Sequence, residues 1–139
     1  TDGDKMVLTP TYHIFKMYKD HQENTLVGSF LTTKELTSEM NDKKAYPQLT
    51  ESASIDENGV VYSTITNCSA SEAVEIKCQV ADTSVTEITA EILTGDIHDK
   101  NDFENGERVT VKDFDDFEMT ADGFIATIPA CSIVKFIIK

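Results

Sequence analysis

The stretch Val74-Glu75-Ile76-Lys77-Cys78-Gln79-Val80 sets Val74, Ile76, Cys78 and Val80 on one side of the chain and Glu75, Lys77 and Gln79 on the other. Successive side chains of a strand point to opposite faces, so this two-residue period predicts a strand with one face in a core and one in water. The neighbours repeat the theme. Upstream, Ala53 to Asp56 and Val60 to Thr66 flank Glu57-Asn58-Gly59, a hairpin signal in which Asn and Gly supply positive φ. Within the second arm, Val61, Ser63 and Ile65 alternate with Val60, Tyr62 and Thr64, and Asn67 to Ser71 makes the next turn. Downstream, Val85 to Leu93, Arg108 to Val111, Gly123 to Ile128 and Ser132 to Ile138 read as strands, with Pro129 breaking the last two apart. Many short strands separated by turns predict an all-β, jelly-roll-like β-sandwich.

Three other stretches carry less pattern. Leu26 to Leu31 holds one or two extended segments, and Met40 to Ala45 reads as a polar linker. The acidic run Asp113 to Glu118 contains Phe114 and Phe117, and reads as a surface turn anchored by two rings.

The N-terminal part follows a different period. Thr9-Pro10 is a helix start, because the Thr hydroxyl can accept from an orphan N–H and Pro at the first helical position sacrifices no hydrogen bond. The helix is predicted from Pro10 to Gln22. Tyr12, Ile14, Phe15 and Tyr18 give it an aromatic and aliphatic face, while Lys16, Lys19, Asp20 and Glu23 are assigned to water. A face that apolar needs a surface to lie against.

Composition excludes several partners. The 139 residues suffice for one core. Twelve Lys and Arg against 25 Asp and Glu leave a formal charge of −13, which repels nucleic acid and anionic lipid alike. The longest apolar run, Ile133 to Ile138 with Lys135 inside it, is far too short to span a bilayer, so no membrane partner is expected. The first residues, Thr1 to Asp4, lack the basic and apolar regions of a signal peptide and suggest a junction inside a longer polypeptide. Cys68, Cys78 and Cys131 have no paired spacing and read as small buried apolar residues in a reducing compartment, with one disulfide left open as an alternative.

No cofactor or catalytic constellation emerges. Glycoside cleavage needs two carboxyl groups held across a scissile bond, and among 25 acids none lies in a pattern that builds such a pair. There is no G-x-S-x-G elbow, and Cys68 has no identifiable His partner. Asn67-Cys68-Ser69 fits the glycosylation triplet, which matters only in a secretory protein. The densest polar stretch, Asp96 to Gly106, does not match the ligand spacing of an EF-hand and reads instead as a structured interdomain loop, with His98, Asn101, Phe103, Glu104 and Asn105 as its candidate residues. His13 and His21 lack a second ligand at metal spacing and read as packing or surface residues. With no Trp and four Tyr, two of them on the helix, the chain offers few flat rings for stacking on sugars.

The segment Met6-Val-Leu-Thr-Pro-Thr-Tyr-His-Ile-Phe-Lys-Met-Tyr-Lys-Asp-His-Gln22 resembles the end of the barrel in α-L-arabinofuranosidases of glycoside hydrolase family 51. Ala90-Glu-Ile-Leu-Thr-Gly-Asp96, Asn101-Asp-Phe-Glu-Asn105 and Ile128-Pro-Ala-Cys-Ser-Ile-Val134 resemble that family's C-terminal domain, in the same order. One departure is Gly106, where the family usually has Pro. The resemblance implies a parent enzyme with a (β/α)8 barrel and a jelly roll, releasing terminal arabinofuranosyl groups from arabinoxylan or arabinan fragments with retention. Both catalytic glutamates would lie upstream of Thr1, so no catalytic residue carries over to this chain. It also implies a division into residues 1–24, the loop and last helix of the barrel, and residues 25–139, the sandwich. Tyr12, Phe15 and Tyr18 would dock the missing barrel of the same polypeptide; arabinose-containing oligosaccharide would be met through the parent enzyme. A short segment from the enzyme's N-terminus would also join the sandwich, leaving an open edge without it. Separated from the barrel, the three rings could pair two copies of the chain. The alternative is an independent carbohydrate-binding module, for which a row of helix aromatics has no use.

Overall fold

Where polar and apolar residues alternate, the chain forms strands that stack as two sheets. The computed structural model describes residues 2–38, 44–82 and 84–139. Among the described residues, eleven strands run in the order β1 (Thr25–Leu26), β2 (Glu35–Thr37), β3 (Ala45–Pro47), β4 (Leu49–Ile55), β5 (Val61–Asn67), β6 (Val74–Gln79), β7 (Ile88–Thr94), β8 (Val111–Asp113), β9 (Phe117–Thr120), β10 (Gly123–Ile128) and β11 (Ser132–Ile138). All pairings are antiparallel: β1-β4-β5-β11-β7-β8 form the large sheet, β6-β10-β9 the small one, and β2-β3 a separate ribbon.

The core lies between the two sheets. Ile65 and Ile92 sit on either side of Val134, and Ser63 and Ala90 on either side of Phe136, so these residues share the inward face of the large sheet. Facing them from the small sheet are Phe124, Ala126 and Ile128, with Val74, Ile76 and Cys78 packed at their side. The rings of Phe124 and Phe136 stack across the gap with centroids 4.1 Å apart. The period-two reading of β6 is correct, but that strand lies at a sheet edge and its inward side chains are only half-buried.

Several boundaries differ from expectation for reasons visible in the hydrogen bonding. The strand expected at Arg108 to Val111 starts only at Val111, because the Val109 N–H and C=O are both taken by the Asn101 side chain and cannot join a ladder. The strand expected from Val85 begins at Ile88, since the amides of Thr86 and Glu87 are spent on the terminal carbonyl of Lys139. The acidic stretch 113–118 is not simply a surface turn: Phe114 is buried, and Phe117 opens β9 with its ring against Phe136. Of the segment 26–31, only Leu26 belongs to a strand. The supposed linker Met40 to Ala45 lies mostly outside the described residues, and Ala45 begins β3. The cysteines are free, with Cys78 and Cys131 half-buried as small apolar groups; Cys68, however, is exposed, because it follows β5 into the open turn.

The helix α1 covers Pro10–Tyr18, tightens into a 3-10 turn at Lys19–His21, and ends where Gln22 becomes extended. Thr9 caps it, its hydroxyl accepting from the Tyr12 N–H at 3.2 Å.

Candidate functional site

An apolar strand such as Ile133 to Ile138 would bury only alternate residues if one face of its sheet met water. Here both faces are covered in the middle, which accounts for its continuous run. Val134, Phe136 and Ile138 enter the sandwich, while Ile133, with Leu93, Val109 and Val111, meets Met17 and Ile14 of α1 on the outer side. Met17 is fully buried there. The helix is therefore seated on its own sheet.

Next to this apolar patch lies a polar one. Lys135, although 3% exposed, points to the outer side, where it pairs with Asp20 and, at 2.8 Å, with Glu91 of β7. Burial alone would lower the Lys135 pKa, but hydrogen bonds and charge from Asp20 and Glu91 outweigh it and the net displacement is upward. Beside it, the His21 ring lies between the hydroxyls of Ser54 and Thr64, with a nitrogen 2.8 Å from each. Asn24 donates to the Asp20 carbonyl and closes the turn. Asp20, assigned to water by helical periodicity, thus faces the sheet because the chain has already left the α-helical path. Both carboxylates are committed to one ammonium, an arrangement suited to joining elements rather than to acid–base chemistry.

The other end of the helix is held by the long connection between β7 and β8. Asn101 donates to the carbonyls of Leu8 and Val109, both at 2.8 Å, and accepts from the Val109 N–H. Glu107 accepts from the Leu8 N–H at 2.9 Å, and its other oxygen lies 3.8 Å from Nε2 of buried His13. Asp102 accepts from the amides of Glu104 and Asn105, and the Asn105 N–H leads the interactions that hold its carboxyl at about 2. Gly106, at φ 72°, takes the left-handed position that closes this turn, where Pro, with φ fixed negative, would not fit.

The expected site residues separate accordingly. Tyr12 and Phe15 are exposed on the helix, at 46% and 75%, whereas Tyr18 is half-buried with its ring 5.6 Å from His21. Of the expected loop residues, Asn101 binds the N-terminal segment, while His98, Phe103, Glu104 and Asn105 are exposed. Sequence reasoning missed Lys135, Glu91, Glu107, Ser54 and Thr64. A lysine interrupting an apolar strand was the available signal. Among the described residues, no three His, Cys, Asp or Glu side chains group as a metal site. An open cleft of about 260 Å³ runs between Pro10 and Ile14 of the helix and the strand ends at Thr94 and Ile133, with Asp96 and Asp99 along it.

Known proteins share this fold. Residues 1–132 match the profile of the α-L-arabinofuranosidase C-terminal domain. An intracellular exo-α-L-arabinofuranosidase of Bacteroides ovatus is 35% identical over 135 residues, covering 96% of this chain but 26% of that protein. The crystal structure of a GH51 arabinofuranosidase from Xanthomonas axonopodis pv. citri superposes with a TM-score of 0.92 at 31% identity, over all of this chain and 28% of that one. An α-L-arabinofuranosidase from Thermotoga maritima has the same fold, with a TM-score of 0.82 at 24% identity over 99% of this chain and 30% of its own. The chain thus spans about a quarter of the length of these relatives.

Proposed function

Because this chain belongs to the α-L-arabinofuranosidase C-terminal domain family, we propose that it is the non-catalytic sandwich of a longer retaining glycosidase that removes terminal arabinofuranosyl groups from arabinoxylan or arabinan fragments. Residues 1–24 are then the end of the catalytic barrel, and residues 25–139 the domain that buttresses it. The observation that carries this reading is the two-sided use of α1. Met17, Ile14 and His13 lie against the sandwich and its loops, while Tyr12 and Phe15 are left on the opposite, open side for the barrel to cover. Phe103, in the loop whose Asn101 holds the Leu8 carbonyl, is exposed as well.

The test is enzymatic and begins with the chain alone. The isolated chain is expected to leave an aryl arabinofuranoside intact, since a retaining mechanism needs two carboxyl groups about 5 Å apart across the bond. Turnover lost on replacing an acid of this chain would overturn the reading. In the longer polypeptide, Tyr12→Ser with Phe15→Ser should lower the midpoint of thermal inactivation while leaving the KM of the surviving enzyme unchanged. Retention by the isolated chain on immobilised arabinoxylan would instead favour a carbohydrate-binding module.

A further inference from the structure

The seat of His21 has the construction of a titratable joint. The ring joins three elements: it belongs to the turn that ends the helix, Ser54 to β4 and Thr64 to β5. A neutral imidazole has one N–H donor and one acceptor, and two hydroxyls satisfy it in either tautomer. A protonated ring has two donors and no acceptor, so both hydroxyl oxygens must accept, and whichever hydroxyl had donated to the neutral ring needs a new partner for its hydrogen. Thr64 is fully buried and Ser54 is 4% exposed, so water is poorly placed to supply one. The surrounding groups add charge to this constraint. Lys135 is opposite Thr64 in the ladder and on the same face; Glu91 lies opposite Lys135 on β7. From the helix side come Tyr18, Asp20 and Asn24, and from β5 Tyr62, whose ring centroid is 6.5 Å from that of His21.

We propose that His21, lodged between Ser54 and Thr64 beside the Lys135–Asp20–Glu91 ion cluster, is an acid-sensitive latch that holds the end of the helix on the large sheet and releases it when the ring takes up a proton. Burial, and then the charge of Lys135, hold the His21 pKa below its ordinary value, with Asp20 opposing. The sign follows from linkage. A histidine whose folded-state pKa is depressed takes up its proton first in the released state, so acidification favours release between the ordinary and the folded-state pKa. Release uncovers Tyr18 and Met17 and frees the outer face of β11, while the sandwich core on the other side of that strand stays closed.

Hydrogen exchange and proton NMR on the 139-residue chain test this between pH 7.5 and 5. The His21 ring should titrate below free histidine. Exchange protection factors at Tyr18 to Asn24, which correct for the intrinsic pH dependence of exchange, should fall with acid by up to about tenfold per pH unit in the window, the limit set by one proton. Protection at Val134 and Phe136 should stay constant. His21→Gln retains a donor and an acceptor but cannot titrate, and should abolish the dependence. Lys135→Met removes the neighbouring cation and should raise the His21 midpoint. Protection at Tyr18 to Asn24 that is flat with pH in the wild type, or a His21 midpoint at or above that of free histidine, would overturn the proposal without reference to any variant. A pH dependence unchanged in His21→Gln, or a midpoint unmoved or lowered by Lys135→Met, would also overturn it.

Discussion

Phe136 is the residue on which the sandwich depends most: fully buried, it stacks on Phe124 and meets Phe114 and Phe117 edge-on. Phe136→Ala should cost about 3–5 kcal/mol, the range for an aromatic cavity in a close-packed core. Ile76, on an edge strand and half-buried, loses fewer contacts, and Ile76→Ala should cost about 1–2 kcal/mol. Lys77→Ala, on the exposed face of the same strand, should cost under about 0.5 kcal/mol. Denaturant midpoints of the three variants check that order, and equal losses at Ile76 and Lys77 would contradict the placement of the strand. A different constraint acts at Gly123, where a Cβ would stand 2.1 Å from the backbone oxygen of Cys78. Gly123→Ala must push β10 away from β6, and should destabilise by about 2 kcal/mol or more despite adding only a methyl group.

The elements are held by local chemistry that can be removed one piece at a time. The Thr9 cap is exposed, so Thr9→Ala should lower stability by about 1 kcal/mol and fray the first turn, visible as faster exchange at Tyr12 and His13. Asn101 is a clasp between the long loop and the segment entering the helix. Asn101→Ala leaves the Val109 N–H without its acceptor and should cost about 2 kcal/mol, with Val109 losing exchange protection. If Val109 stays protected in that variant, the loop is held by Glu107 instead. Element existence was readable because alternation and capping are local. Element limits were not, because Val109 and Thr86 owe their conformation to partners 8 and 53 residues away.

At the scale of the whole molecule, acid should act in two stages. The His21 joint weakens first, between about pH 6.5, the ordinary histidine value, and its lower folded-state value. Asp56, Asp102 and Asp122 act later. Their carboxyls are held below the ordinary range, by the Val60 amide, the Asn105 amide and the Gln79 side chain respectively. The stability they contribute is complete above the unfolded value of about 3.9 and is lost as pH falls through their folded values. Circular dichroism followed from pH 7 to 2 should show the helix signal change before the sheet signal. The chain should also sediment as a monomer at high micromolar concentration. Its helix already rests on its own sheet, and Tyr18 has turned inward, so two exposed rings remain where three were expected. A dimer abolished by Tyr12→Ser with Phe15→Ser would show instead that these two rings suffice to pair copies.

What the sequence by itself determined is the kind of object this is: a two-residue period in β6 and alternation in β5, an Asn-Gly turn, a capped helix and an excess of acid together dictate a sandwich with a helix before it and disfavour anionic partners. These are properties of spacing and composition, and act over a few residues. Tertiary structure alone decided which side of the helix was spoken for. Helical period placed Asp20 in water and Tyr18 among the docking rings, yet the 3-10 turn brings Asp20 to the buried charge of Lys135, 115 residues away, and Tyr18 lies half-buried beside His21. A buried ammonium must be paired wherever its strand comes to lie, and the sequence says nothing of which distant carboxylate that will be.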